Sequence, residues 1–485
     1  MNRPLRRLAV VMAMMFLALL LSSTTIQFFQ APTLNADGRN VREIYREYGR
    51  DRGPIIVAGE PIVSSEPVDD VFKYQRTYLQ GPLYAPVTGY FATAFNSATG
   101  LEKSESAVLN GTAPSLLVSR MQDLVIGRQP KGGSIELTIN PRAQQAAWDA
   151  LGDDRGAVVA LRPSTGEILA LVSKPSFDPN RLATHDQQAA QDAWKQLNDD
   201  AAKPLANRAT GTMTFAPGSV FKVITAAAWL EKHGGDADQQ VPTDATFTLP
   251  GSESVLHNPG KKPCGPSDKG PLRFAFAHSC NTTFARLAID VGSDDLRAQA
   301  EAFGFGEKLT SPLPVAASEL GEITNDAQLA MSGIGQFEVQ SHPLQMAMVA
   351  AAVANRGILM EPQLVKTVRD ADLQEISQFK PRELREPISA TTAATLTELM
   401  RAVVTDGTGR PLALEGVEVA AKTGTAQTDT DLGPHAWVIA FAPKVDADVA
   451  VAVVVEHGGH DGQRADGGMT AGPIAKRVIE AVLTP

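Results

Sequence analysis

Three short motifs in a fixed order hold the chemistry this chain offers: Ser219-Val220-Phe221-Lys222, Ser279-Cys280-Asn281 and Lys422-Thr423-Gly424. Each pattern arises by chance in a chain of 485 residues, so each alone says little. Together they supply a hydroxyl nucleophile, an amine to take its proton, a second hydroxyl to relay protons, and cationic and hydroxyl groups to hold a carboxylate. Ser219 follows the turn sequence Phe215-Ala216-Pro217-Gly218 and precedes an apolar helical run, which places it at or near a helix N-terminus. Exposed N–H groups and the helix dipole favour developing negative charge there. Lys222 lies one turn on, on the same face. A lysine serves as a base only when burial or a nearby cation lowers its pKa, and Lys422 is the candidate cation. For an isolated S-x-x-K, a plain N-cap and a solvated lysine are the better reading; the two further motifs reverse it.

Ser279 suits a proton shuttle between lysine and leaving group. Asn281 can bond both Lys222 and a substrate amide, or simply cap a helix beginning at Thr282. Lys422 to Ala426 follows an apolar strand, Val417–Ala421. If that strand is an edge, a substrate backbone can add alongside it, with Gly424 permitting close approach. Hydroxyls of Thr423 and Thr425, with Lys422, match a terminal carboxylate. Backbone N–H groups of Ser219 and Thr425 would form an oxyanion hole.

The elements that must position these groups can be read from apolar periodicity. Ile135–Ile139 alternates like a strand, and Asn140-Pro141 opens a helix to Leu151. Gly156–Leu161 and Glu167–Val172 form a hairpin around Pro163-Ser164-Thr165-Gly166. Helices are expected over 223–232, 281–290, 294–303, 344–355 and 390–404. Strands return at 417–421, 436–441 and 449–455, followed by an amphipathic helix over 469–483. This predicts a mixed α/β (α+β) domain over 134–485: an antiparallel sheet built from both ends of the domain, flanked by helices, with a helical subdomain between.

Before it, Gly53 to Gly133 carries short β-like runs (54–57, 60–63, 89–91) separated by turn residues, a small β-rich stand-off region within 31–133. Ala36 to Asp51 reads as a polar juxtamembrane stretch. At the N-terminus Arg3, Arg6 and Arg7 precede an uncharged run from Leu8 to Gln30. That run matches the roughly 20 residues a bilayer needs, and the arginines set the rest of the chain outside the cytoplasm. A cleaved signal peptide is the competing reading. No A-x-A site follows Leu21, which favours a retained anchor over 1–30.

Net charge is -10, which argues against nucleic acid as a partner. The two cysteines, Cys264 and Cys280, either pair or stay as buried thiols. Export and the Pro/Gly-rich loop around Cys264 favour the bridge. His457-Gly458-Gly459-His460-Asp461 fits a turn better than a metal site, since no third ligand is placed. Asp406-Gly407-Thr408-Gly409 fits a turn better than a phosphate loop. The four tryptophans and the helical methionines read as core.

On these residues the chain resembles the class B penicillin-binding proteins, and their actinobacterial A branch in particular. The likeness extends beyond the three motifs to Arg52-Gly53-Pro54-Ile55, Gly156–Val159, Thr165–Ala170, Phe177–Asn180, Gly333–Gln336, Pro343–Ala347 and Ala436–Pro443. Two departures stand out: His342 where threonine is usual before Pro-Leu-Gln, and Cys280 in the middle of S-x-N. The resemblance implies a D,D-transpeptidase that cross-links peptidoglycan stem peptides through a Ser219 acyl-enzyme, is inhibited by β-lactams, and needs no metal or organic cofactor. It implies stem peptides as donor and amine acceptor. It also implies a membrane glycan polymerase and division or elongation proteins as partners, with a role in cell division or cell shape.

Related chemistries fit less well. A class A β-lactamase needs a glutamate in E-x-x-L-N, and the nearest run, ending Gln196-Leu197-Asn198, has Trp194 there. A β-lactam receptor would need more membrane helices or a signalling domain. A bifunctional enzyme would need a glycosyltransferase domain, for which the region before Ser134 is short. A D,D-carboxypeptidase shares every motif, and a largely scaffolding role is the alternative of another class.

Overall fold

The computed structural model describes residues 2–35, 48–117, 131–265, 267–309, 311–428, 432–443 and 446–484. Most of the expected juxtamembrane stretch (36–47) and Pro266 of the Cys264 loop lie outside the described residues. Two compact units are distinguished, 1–51 with 66–75, and 52–65 with 76–485.

The first unit contains α1 (Asn2–Thr24). The helical run Arg3–Phe29, 27 residues, is long and apolar enough to cross a membrane by length and composition. Leu8, Phe16, Leu20 and Phe28 along it are all exposed, so no protein core accounts for their apolarity.

In the second unit, helices α2 (Pro141–Leu151), α5 (Pro343–Ala354), α6 (Ala390–Thr405) and α7 (Gly472–Leu483) pack on a five-stranded sheet, and helices α3 (Lys222–His233) and α4 (Asn281–Val291) pack on each other. Its strands are β1 (Gly156–Leu161), β2 (Ile168–Lys174), β3 (Ala420–Ala426), β4 (His435–Ala442) and β5 (Val449–Val455). They lie in the order β3-β4-β5-β1-β2, and each neighbour is antiparallel. The two ends of the expected domain meet where Ala452 faces Val159.

Both faces of this sheet are covered, which is why β1 and β5 are apolar throughout. Ala157, Val159 and Leu161 pack into a core shared with α5. Val158 and Ala160 pack with Ala143 and Ala147 of α2 and Ile474 and Ile479 of α7. Residues Pro343 to Val353 of α5 are all buried, as expected for a helix apolar on every side. Asn140 caps α2, its side chain accepting from the N–H groups of Arg142 and Ala143.

Three local features differ from the sequence expectation. Strand β3 starts at Ala420 and runs through Ala426, so Lys422-Thr423-Gly424 lies inside a strand rather than after one. The closing helix α7 starts at Gly472, because a wide turn over Gly467–Ala471 precedes it. Met469 on that turn is exposed and does not join the core. Third, Ser134–Leu137 joins a second, six-stranded sheet. There Ile135 pairs with Ile55 in parallel and with Val368 in antiparallel register. Val365–Arg369 and Glu375–Gln378 from the helical middle therefore join a sheet begun near residue 55. The region after Gly53 also contains short helices over Gly81–Thr88, Gly100–Ser104 and Ser106–Leu109.

Candidate active site

Ser219 sits on a tight helical turn, Gly218–Phe221, that leads into α3. Two glycine contacts hold that turn. Gly335, at φ +73, accepts a hydrogen bond from Gly218 N at 2.9 Å, and a Cβ on Gly335 would stand 2.1 Å from the Gly218 carbonyl oxygen. A side chain there is excluded by both φ and space. On the other flank, a Cβ on Gly424 would stand 2.9 Å from Pro217 O. The close approach expected at Gly424 is therefore already made by the Ser219 turn. Strand β3 is an edge strand, leaving its other side open to an incoming backbone.

Helix α3 is buried from Lys222 to Leu230, so Lys222 is drawn inside with its apolar neighbours. Its Nζ donates to Ser279 O and to Asn281 Oδ1, both at 2.7 Å, and lies 3.4 Å from Ser279 Oγ. Asn281 Nδ2 donates to His257 O at 2.9 Å. Asn281 is thus the first residue of α4 rather than its cap. Asn258 serves the helix instead, its Oδ1 accepting from Thr282 N at 3.0 Å.

Ser279 adopts φ +59, a conformation that costs a non-glycine residue about 1 kcal/mol or more. In it the hydroxyl also meets Lys422, whose Nζ donates to Ser279 Oγ and to Thr423 O, both at 2.9 Å. Both lysines are fully buried. Burial first, and the Lys422 charge second, hold the Lys222 amine well below the ordinary lysine range. Burial lowers Lys422 to about 7.

These groups open onto a cleft of about 650 Å³, lined by Ser219, Ser279, Asn281, Thr423 and Thr425 among others. The structure therefore brings together the residues singled out from all three motifs. It adds Thr408, whose hydroxyl bonds that of Thr423, and Met469 and Asp466 from the turn before α7. No spacing rule connects these three to the motifs. They reach the cleft only because α6 and α7 return their flanking turns to β3. Cys264 and Cys280 are bonded, with Cα atoms 5.8 Å apart. The bridge fastens the loop carrying His257 and Asn258 to the start of α4.

Residues 156–480 match the penicillin binding protein transpeptidase domain. Residues 52–135 match the penicillin binding protein A dimerisation domain. Along its whole length the chain is 48% identical to the peptidoglycan D,D-transpeptidase PbpA of Mycolicibacterium smegmatis, covering 99% of that protein. It is 46% identical, with the same coverage, to PbpA of Mycobacterium tuberculosis. The chain belongs to the class B penicillin-binding proteins. Among solved structures it resembles penicillin-binding protein A from M. tuberculosis in its ceftriaxone acyl-enzyme complex. That match has TM-score 0.87 and 45% identity, over 91% of this chain and 100% of the other.

Within this penicillin-binding protein, the two departures noted in the sequence have distinct roles. Cys280 forms the bridge beside the S-x-N motif. His342 is the N-cap of α5: its Nδ1 accepts from Gln345 N at 3.3 Å, and its Nε2 donates to Ala316 O at 3.0 Å. Burial pushes His342 down to about 4, so the neutral ring supplies the acceptor a threonine would. The His457–Asp461 segment forms turns in which His460 Nδ1 meets Asp154 at 2.8 Å.

Proposed function

We propose that this chain is a membrane-anchored peptidoglycan D,D-transpeptidase working through an acyl-enzyme on Ser219, the serine that β-lactams also acylate. The observation that carries this is the chain of contacts Lys222–Ser279–Lys422, whose central Ser279 lines one cleft with Ser219. The two mycobacterial relatives bear the name peptidoglycan D,D-transpeptidase. The M. tuberculosis protein has been solved as ceftriaxone, imipenem and penicillin G acyl-enzymes.

In this mechanism neutral Lys222 takes the Ser219 proton as Oγ attacks the carbonyl carbon of a terminal D-alanyl-D-alanine bond. The N–H groups of Ser219 and Thr425 stabilise the oxyanion. The C–N bond breaks, and the proton passes through the Ser279 hydroxyl to the departing D-alanine amine. An amine of a neighbouring stem peptide then attacks the ester. The new amide bond forms as the bond between the acyl carbon and Ser219 Oγ breaks, and the amine's surplus proton returns by the same path to Ser219 Oγ. Lys422, Thr423 and Thr425 hold the donor carboxylate, Asn281 positions Lys222 and the substrate amide, and Gly424 lets strand β3 pack close against the Ser219 turn.

The apolar N-terminal helix anchors the protein, with Arg3, Arg6 and Arg7 on the cytoplasmic side and the cleft outside. Residues 31–133 stand the transpeptidase domain, 134–485, off the membrane. A separate membrane glycan polymerase and division or elongation proteins are its partners, in division or shape maintenance.

Fluorescent penicillin applied to membranes tests the acyl-enzyme: wild type is labelled and Ser219→Ala is not. Absence of label on the wild type overturns the proposal. A stem-peptide donor incubated with an amine acceptor then gives cross-linked product; release of free acid alone would mark a carboxypeptidase, and labelling without turnover a scaffold.

A further inference from the structure

The turn Asp406-Gly407-Thr408-Gly409, between α6 and β3, is not used by the three motifs. Its backbone is nevertheless fastened to the segment before Ser279. Thr408 N donates to Ala277 O at 3.2 Å, and Gly409 N to Val403 O at 2.8 Å. A Cβ on Gly407 would stand 2.1 Å from the same Ala277 oxygen, and one on Gly468 would stand 2.2 Å from Thr408 O. Thr408 is therefore packed between the S-x-N segment and the turn before α7. It lines the cleft that Ser219, Thr423 and Thr425 also line.

The Thr408 and Thr423 hydroxyls are hydrogen-bonded to each other. Thr423 is 5% exposed on rigid strand β3, whereas Thr408 is exposed at the cleft wall. Each hydroxyl has one proton and can accept as well as donate. One proton lies between the two oxygens, which leaves one to donate elsewhere. If Thr408 donates to Thr423 Oγ1, the Thr423 proton is free for an acceptor in the cleft. A hydrogen bond received by a hydroxyl also strengthens the one it gives.

The geometry points to Thr408 as a positioning residue of the carboxylate grip. Its hydroxyl donates to Thr423 and directs the Thr423 proton to the terminal carboxylate of the donor peptide or β-lactam. This rests on the acyl-transfer reading of the cleft. It also gives the Asp-Gly-Thr-Gly turn a role in coupling the second motif to the third, because the same residue holds Ala277 through its backbone and Thr423 through its side chain.

The test compares acylation of the purified full-length protein by penicillin G and by its methyl ester, which lacks the anionic carboxylate. For Thr408→Val, acylation efficiency toward the acid falls about ten-fold, the scale of one hydrogen bond to a charged group. Toward the ester it stays within about two-fold. Thr408→Ser restores the acid-selective rate, and the Tm of both variants matches wild type. An equal loss for acid and ester shows a distorted turn and overturns the inference. Wild-type rates in Thr408→Val overturn it as well, while leaving the acyl-enzyme intact. A wild type that takes up no β-lactam at all overturns the acyl-transfer reading and this inference together.

Discussion

Lys422 Nζ donates to the Ser279 hydroxyl at 2.9 Å. That oxygen lies 3.4 Å from Lys222 Nζ, so one hydroxyl stands between two buried amines. Two ammonium groups cannot share this position without strong repulsion. While Ser279 accepts from Lys422, its own proton remains available to a neutral Lys222 or to a leaving amine. The positive φ of Ser279 is a local strain that these surrounding contacts sustain.

Both buried lysines are held below the ordinary lysine range, and acylation follows the neutral form of Lys222. Lys422 is lowered to about 7 and Lys222 well below its ordinary range. Acylation by a β-lactam therefore rises with pH as neutral Lys222 accumulates, along a limb well below the ordinary lysine range. A lowered lysine pKa means that the unfolded chain binds more protons than the native one between about 7 and 10. Stability accordingly rises with pH across that window. Rates and urea midpoints measured from pH 5.5 to 9.5 check both; a rate that only begins to rise near pH 9.5 contradicts the assignment.

Replacing Lys222 separates charge from basicity. Lys222→Ala lowers acylation by about a thousand-fold, the scale of general-base loss. Lys222→Arg keeps the positive charge but cannot deprotonate, so it is equally inactive. Stopped-flow labelling with a fluorescent penicillin measures both. Appreciable activity in the arginine variant would mean that Lys222 acts as a cation and not as a base.

The Cys264–Cys280 bond closes a loop of 16 residues, for which chain entropy gives about 3 kcal/mol of stability. Cys264→Ser with Cys280→Ser lowers Tm by several degrees, and reductant no longer shifts it. Asn281 Nδ2 loses a fixed partner in His257 O, so the double variant also acylates more slowly. Calorimetry with and without reductant, beside labelling rates, distinguishes these effects.

His342 makes the fold acid-sensitive. Its native pKa is about 4, against about 6.5 unfolded. As pH falls through that interval the unfolded chain takes up the proton and the native chain does not, so stability declines. His342→Thr keeps a cap for α5 and removes this contribution, giving a shallower loss between pH 6.5 and 4. His342→Ala removes the cap too and costs about 1 kcal/mol at pH 7. Denaturant midpoints at both pH values decide; an unchanged slope in the threonine variant would refute the role.

Much of the fold was legible in the sequence because it depends on local apolar periodicity. The β1–β2 hairpin, helices α2 to α6 and the buried strands β4 and β5 each show their own 3.6 or 2 residue pattern. What escaped was set by partners distant in the chain. Val365–Arg369 looks like any short polar-apolar alternation until Ser134–Leu137 pairs with it. Strand β3 begins late because the N–H and C=O groups of β4 decide where pairing starts.

The same division applies to the site. Ser219, Lys222, Ser279, Asn281 and Lys422 could be singled out as candidates because acyl transfer calls for such side chains and two of the motifs keep them a helical turn or less apart. Thr408, Asp466 and Met469 carry no such signal, since their presence in the cleft depends on where α6 and α7 return the chain. Residue order and type thus named the groups proposed to react and the strands and helices that bear them. The lowered lysine pKa values, the strained Ser279 and the Thr408–Thr423 contact arose only on packing, because burial and through-space neighbours, which no local stretch encodes, set desolvation, charge repulsion and hydrogen-bond geometry.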